Sequence, residues 1–363
     1  MTSPQPNRRA LIRGAAWSVP IVAATASAPA RAETSGPCPA DVVLPIPEID
    51  DIRVDAADGA SSFYTVEPGI TQIDFTIAGG RGGASPFAAG GGAGLIQGSF
   101  SVAENDMVTF VVGQGGFGQR STGSTNTGGR GFADGGDVPA PGGAGDTGTS
   151  GSGGGASAIL LNGTPLVIAG GGGGGGMLEG VSPASWEWSY PSSPSTHAGA
   201  FGTAATSSVI SRSGAGSGQP SGLITVFPGG NATDAAVGVP SATAATSTFT
   251  AGELVDPVVG LPGAEGGSGG AGVASAVSAT SAGRFSVGSG AGGGGYRGGA
   301  SGSSVAFYYA SPLGDLAWSI GGNGGAGSNF ISTSVTIVSV GTTEFSTIQQ
   351  RVPGFITATA RCV

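Results

Sequence analysis

Seven consecutive glycines, Gly170, Gly171, Gly172, Gly173, Gly174, Gly175 and Gly176, stand between the apolar runs "LVIA" and "MLEG". Ordering a glycine costs about 0.5 to 1 kcal/mol more than ordering an alanine, so seven cost roughly 4 to 7 kcal/mol extra. Each still carries a donor and an acceptor, and a net gain of about 0.5 to 1.5 kcal/mol per hydrogen bond offsets that cost only where other backbone lies alongside. A lone tract is a linker; several tracts can pack on one another. Further tracts do occur: "GGRGG" at 79, "AGGGAGL" near 90, "GSGGGAS" at 151 and "GAGGGGYRGGASG" from 290. Each leaves or enters a strand-like segment, so the heptaglycine reads as a strand running into one member of a glycine bundle.

Composition agrees with a packed interior. The 363-residue chain holds 75 glycines, yet 39% of its residues are hydrophobic and only 10% charged. Flexible linkers are poorer in apolar residues and richer in charge. Collagen is excluded because no strict Gly-X-Y period runs through the tracts and 23 prolines are too few. The chain has no lysine and one histidine, His197. Schiff-base lysines, phosphate-loop lysines and sites built on several histidines are therefore ruled out.

The opening "NRRALIRGAAWSVPIVAATASAPARAETS" has a basic region, a mildly apolar stretch and the small-x-small site Ala30-Arg31-Ala32, the layout of a secretory signal. Arg8, Arg9 and Arg13 fit a twin-arginine export signal, with a general secretory signal as the alternative. The segment resembles the leaders of actinobacterial exported proteins. Cleavage after Ala32 deepens the formal charge from −9 to −13, which makes nucleic acid an unsuitable partner. No later stretch approaches eighteen uninterrupted apolar residues, so no membrane span is expected in the mature chain. The two cysteines, Cys38 and Cys362, suggest a disulfide in an exported protein, worth up to about 5 to 6 kcal/mol in the chain-entropy picture. Two unrelated thiols are the alternative.

Strand-like alternation fills much of the rest. In "VEPGITQIDFTIA" a Pro-Gly turn precedes Ile73, Phe75 and Ile77 on one face and Gln72, Asp74 and Thr76 on the other. "LIQGSFSV" and "DMVTFVVG" come next, the second so continuously apolar that burial on both faces is expected. "ASAILL" and "PLVIAG" flank Asn162-Gly163, a strong hairpin signal. "SSVAFYYA", "LAWSI", "STSVTIVSV" and "GFITATARCV" complete the set, and no amphipathic helix is evident. Residues 1–32 read as the signal peptide, 33–60 as an N-terminal extension, and 61–363 as one all-β glycine-rich domain. Within it, the Ser/Ala/Thr-rich stretch 180–288 reads as an insertion of long or partly disordered loops.

In order and wording, "IDFTIAGGRGGASPFAAGGGAGLIQGSFSVAENDMVTFVVGQGG", "GGGASAILLNGTPLVIAGGGGGGG", "GAGGGGYRGGASG" and "SVAFYYASPLGDLAW" resemble the glycine-rich extracellular domain of the anaplastic lymphoma kinase and leukocyte tyrosine kinase receptors and related bacterial surface domains. The resemblance implies a jelly-roll-like β-sandwich of tumour-necrosis-factor type carrying a bundle of polyglycine helices in the extended threefold form. It implies no kinase activity here: neither the kinase part nor a membrane-spanning part has a counterpart, and a kinase needs its ATP-contacting lysine. Ligand binding is implied only in general, because no contact motif matches residue by residue.

Chemical motifs are weak. "GQGGFG", Gly113 to Gly118, satisfies the dinucleotide fingerprint with Asp134 about twenty residues on, but the adjoining "QRSTGSTNTGG" cannot open a helix. Ser268 sits in G-x-S-x-G, yet the only histidine precedes it. The near-matches to the calcium nonapeptide misplace their aspartates and do not repeat. Neither a cofactor nor a metal is expected. In "ASWEWSYPSSP", Trp186, Trp188 and Tyr190 share one face of an extended segment and either pin the insertion or contact a partner. The sequence thus describes an exported, non-enzymatic protein, secreted or at the cell surface, that acts in adhesion or partner binding toward an extracellular protein or polysaccharide. A structural envelope or matrix protein with no discrete ligand is the alternative, and ice binding by the glycine bundle a third. Self-association stays open.

Overall fold

Period-two burial builds the first sheets. From Gln72 to Ala78, Ile73, Phe75 and Ile77 are buried while Gln72, Asp74 and Thr76 are half-buried, as the alternation predicts. The computed structural model describes residues 42–44, 60–118, 125–139, 150–181, 198–200, 202–212, 221–249, 251–279, 283–310, 315–346 and 351–362. Among these residues nineteen strands, numbered β1 to β19 in chain order, and no helix are formed. Arg8, Arg9, Arg13, Ala30, Ala32, Cys38, Trp186, Trp188, Tyr190 and His197 lie outside the described residues.

One five-stranded antiparallel sheet runs in the order β1 (Val42–Val43), β19 (Phe355–Arg361), β3 (Gln72–Ala78), β4 (Gly94–Ser101), β18 (Val335–Thr342). A second runs β17 (Phe330–Ile331), β7 (Thr164–Ala169), β6 (Ser157–Leu161), β5 (Met107–Val112), β2 (Ala60–Thr65). The two share one hydrophobic core, with Ile73, Phe75 and Ile96 from the first and Phe110, Ile159 and Val167 from the second. The Asn162-Gly163 hairpin forms as expected, with φ of 51° and 79° at its two residues. Asn162 also reaches the neighbouring turn, donating through Nδ2 to Asp106 over 2.8 Å. That bond and the Ala103 N–H hold the Asp106 carboxyl below the usual carboxylate range, the Ala103 contact being the larger cause.

Three expectations change. β5 is not buried on both faces: Val108, Phe110 and Val112 are buried while Thr109 and Val111 are half-buried, Val111 packing on a smaller cluster that includes Ala156, Ala158 and Ile168. β16 (Leu316–Gly321) is the strand buried along its whole length. The stretch 180–288, expected as long loops, instead carries β9 (Ser208–Arg212), β10 (Gly222–Val226), β11 (Ala245–Ser247), β12 (Glu253–Val258), β13 (Ala274–Ala279) and β14 (Gly283–Gly288). Third, no helix is formed by the tracts expected to be helices of the extended threefold kind; apart from Gly94 and Leu95 in β4 and Ser157 in β6, their residues lie outside strands as well.

The inserted strands have a core to rest on. β15 (Ser304–Tyr309) and β16 lie between β12 and β8 (Leu178–Val181) in a four-stranded sheet, and β9, β10 and β11 form a three-stranded one. Leu178, Ile210, Ile224, Phe307, Trp318 and Ile320 from these sheets make a second hydrophobic cluster. The β13–β14 hairpin adds Val277 against Ala306 and Ala317. Glycine tracts connect the two cores: 170–177 leads from β7 to β8, and 322–329 returns from β16 to β17.

At the chain ends, β1 pairs with β19 so that Val42 faces Ala360. This puts the chain four residues after Cys38 beside a residue two before Cys362, and Cys362 is not a free thiol.

Candidate functional site

Hydrogen bonds along the heptaglycine repeat every three residues. The N–H groups of Gly171 and Gly174 donate to Gly294 and Ala291 over 2.7 and 2.8 Å, and those of Gly172 and Gly175 donate to Gly80 and Gly83 over 3.0 and 2.9 Å. The carbonyls of Gly170 and Gly173 accept from Gly94 and Gly91, those of Gly171 and Gly174 from Gly327 and Gly324, and those of Gly172 and Gly175 from Gly154 and Gly151. A strand directs its backbone groups alternately to two sides. Here residues i and i+3 share a neighbour, so the groups turn through three directions, and Gly199, which accepts from Gly173, completes a ring of six surrounding segments.

The spacing leaves no room for side chains. A Cβ on Gly173 would meet the carbonyl of Gly324, and one on Gly171 that of Gly154, closer than the 3.0 Å that real Cβ contacts respect. Both obstacles are backbone in neighbouring tracts, which cannot swing aside as a flexible side chain could. All seven glycines are buried.

Asparagines close the edges, since a planar amide can stand in for a peptide group. Asn329 Oδ1 accepts from Gly170 N–H and Asn323 Oδ1 from Gly176 N–H, each over 2.8 Å. Asn126 Nδ2 donates to the carbonyls of Gly118 and Ser150, and Asn231 Oδ1 accepts from Ala326 N–H. With Ser85 donating to the Gly176 carbonyl, every backbone N–H and C=O of Gly170–Gly176 has a partner.

The dinucleotide-like "GQGGFG" belongs to the same packing. The N–H groups of Gly113, Gln114, Gly116 and Phe117 donate to Ser157, Arg130, Arg81 and Ser152, and Asp134 pairs with Arg130 over 2.7 Å. Those donors are committed within the fold and cannot cradle a pyrophosphate.

Beside this region lies a cleft of about 790 Å³. Its walls come from three places: residues 202–204 and 231–234 of the inserted stretch, Tyr296, and the segment Gly327–Ile331 where the glycine packing ends in β17. Tyr296 stands at the bend of "GAGGGGYRGGASG", held by Tyr296 N–H donating to the Ser328 carbonyl and Arg297 N–H to Ser328 Oγ. Its ring stacks on Phe330 with centroids 4.7 Å apart at 27°, and 38% of the residue stays exposed. Arg297 lies over the Tyr296 ring, its Cζ 5.8 Å from the ring centre, donates through Nε to the Asp234 carbonyl over 3.0 Å and pairs with Glu265. Two walls are thereby tied together, and the guanidinium is neutralised. Asn231 joins the two parts of the inserted wall by donating to the Ala200 and Thr203 carbonyls.

The cleft offers a stacked aromatic wall beside a rim with one hydroxyl and one carboxylate, Thr233 and Asp234, both exposed. That combination suits binding through ring contact and hydrogen bonds. Motif and spacing alone do not single it out, although Tyr296 interrupting a glycine tract is a signal: a large aromatic placed where side chains are excluded must stand at the boundary. Comparison with protein-family models and with curated proteins finds no match for this chain.

Proposed function

We propose that this is an exported, non-enzymatic, glycine-rich protein of the cell surface or extracellular space that acts by binding a partner, with the cleft at Tyr296 as the contact. The stacked, part-exposed Tyr296–Phe330 pair carries this reading. A large aromatic left half in water beside a concave, mixed-polarity wall is what a recognition surface requires. Rigid support comes from the backbone packing next to it. The three-residue hydrogen-bond period supports reading that packing as a bundle of extended threefold glycine segments, and the shared core of two five-stranded sheets supports a jelly-roll-like sandwich. Both accord with the resemblance to the receptor glycine-rich domains, whose ligand binding here is part of the proposal.

Export rests on the Arg8-Arg9 leader, and the Cys38–Cys362 disulfide is proposed with it, because the β1–β19 register brings the two ends of the mature chain together. Trp186, Trp188 and Tyr190 stay a proposed second contact. Ice binding by a face of the glycine bundle stays the weaker alternative, with thermal hysteresis as its test. The test is retention of material from the cell-wall fraction and medium of the producing cells on immobilised mature protein. Wild type retains material and a folded Tyr296→Ala variant does not; equal retention by the two defeats the reading.

A further inference from the structure

We infer that the Tyr296 cleft takes a neutral carbohydrate, the pyranose units of an uncharged polysaccharide; this rests on the binding function proposed above. A pyranose has one face of C–H groups and a rim of hydroxyls. It therefore needs an aromatic plane set beside hydrogen-bonding groups that are not already consumed. Tyr296 supplies the plane: it stacks on Phe330, carries the Arg297 guanidinium over its ring at 5.8 Å, and still leaves 38% of the residue exposed to the cleft. Exposed Asp234 and Thr233 line the same cleft; Thr233 Oγ1 accepts from Ala236 N–H over 3.1 Å and keeps its O–H to donate, and a carboxylate accepts from two adjacent hydroxyls at once.

Other ligand classes fit less well. Acidic polymers need unpaired cations, whereas Arg297, the cation beside the cleft, is paired with Glu265, Asp234 adds a negative charge, and the chain carries a formal −9. Lipid tails need an enclosed apolar cavity, whereas Asn231, Thr233, Asp234 and Ser328 interrupt these walls. An extended peptide docks by adding a strand to a free edge. The edge at this cleft, β17, is two residues long and can offer little of a ladder. At about 790 Å³ the cleft is within the range that takes small ligands, enough for a short run of sugar units.

The test uses the mature protein on an array of neutral and acidic oligosaccharides, followed by calorimetric titration with the strongest neutral binder. Binding of one or more neutral glycans is expected, weakened about tenfold or more by Tyr296→Ala and largely kept by Tyr296→Trp. Asp234→Asn, at an exposed position, should weaken it several-fold without disturbing the fold, which guards against a Tyr296→Ala variant that loosens Phe330. A preference for acidic glycans, no binding to any neutral glycan, or a neutral-glycan affinity that neither substitution changes overturns the inference. Periodate, which cleaves vicinal diols, separates it from the broader reading. If Tyr296-dependent retention of wall or medium material survives periodate but not protease, partner binding stands and the carbohydrate assignment falls.

Discussion

The hydrophobic core between the two five-stranded sheets and the glycine packing are both buried interiors, yet they are held by opposite parts of the chain. In the sandwich, Phe110, Ile73, Ile77 and Ile159 are fully buried, and side-chain volume keeps the two sheets apart. Gly170–Gly176 have no side chains of their own to bury, and cohesion comes from backbone groups that find partners in neighbouring segments, with the Asn323, Asn329 and Ser85 side chains closing the two ends. Mutational tolerance should differ accordingly. A side-chain core loses stability in proportion to the volume removed. A backbone core tolerates removal of nothing and addition of nothing, because its spacing is set by peptide groups in contact.

Gly173→Val should have the largest effect. Its new Cβ meets the Gly324 carbonyl, and two further methyl groups have no vacancy to enter. Overpacking in an ordinary core costs about 1 to 3 kcal/mol because side chains shift; with only backbone to displace, cooperative folding should be lost. Denaturant unfolding followed by circular dichroism reads this. A variant that folds within about 1 kcal/mol of wild type would show that the tracts are loosely laid rather than packed.

Phe110→Ala, the counterpart in the sandwich, should cost about 3 to 5 kcal/mol and leave the heptaglycine amides protected from hydrogen exchange if that lowered stability still exceeds their opening free energy. Equal loss of protection in both regions would mean that the two interiors unfold as one unit, and the contrast would hold for packing but not for cooperativity.

Much of the sandwich is legible in the sequence because side chains report their own environment. Ile73, Phe75 and Ile77 announce a buried face, and Asn162-Gly163 announces its hairpin. The glycine packing is legible only in kind. Nothing in "GGGGGGG" says that Gly172 bonds to Gly80 and Gly171 to Gly294, since segments without side chains carry no pattern that selects a neighbour. The inserted strands escape sequence reasoning for a related reason. "SVISR" and "GLITV" are short and sparingly apolar, and Ile210 and Ile224 acquire a core only once β15 and β16 lie beneath them. The cleft joins Tyr296 to Phe330 and to residues 231–234, three stretches far apart in sequence, so its geometry has no local signature.

Asn323→Ala comes next in size. The side chain is fully buried, accepts from Gly176 N–H and donates to the Thr206 carbonyl, so alanine leaves the buried Gly176 N–H without this partner and removes the tie to the exposed Thr206. The expected loss is about 1 to 3 kcal/mol, with faster exchange at Gly176 than at Gly173. Uniform exchange along the heptaglycine would mean that the asparagine edges are not what anchors it.

Gly341→Ala should be the smallest change and the sharpest control. Gly341 lies in β18 opposite Leu95, at the edge of a sheet, and nothing stands within 4 Å of the Cβ that alanine would add. Its φ lies outside the positive range that only glycine favours. Alanine then narrows the unfolded ensemble without straining the folded one, a stabilisation of about 0.4 to 1 kcal/mol. Thermal unfolding of this variant beside an equally small Gly173→Ala change separates composition from position. If both glycines accept alanine, the 75 glycines are a compositional habit; if Gly341 accepts it and Gly173 does not, the absent side chain is itself the structural element.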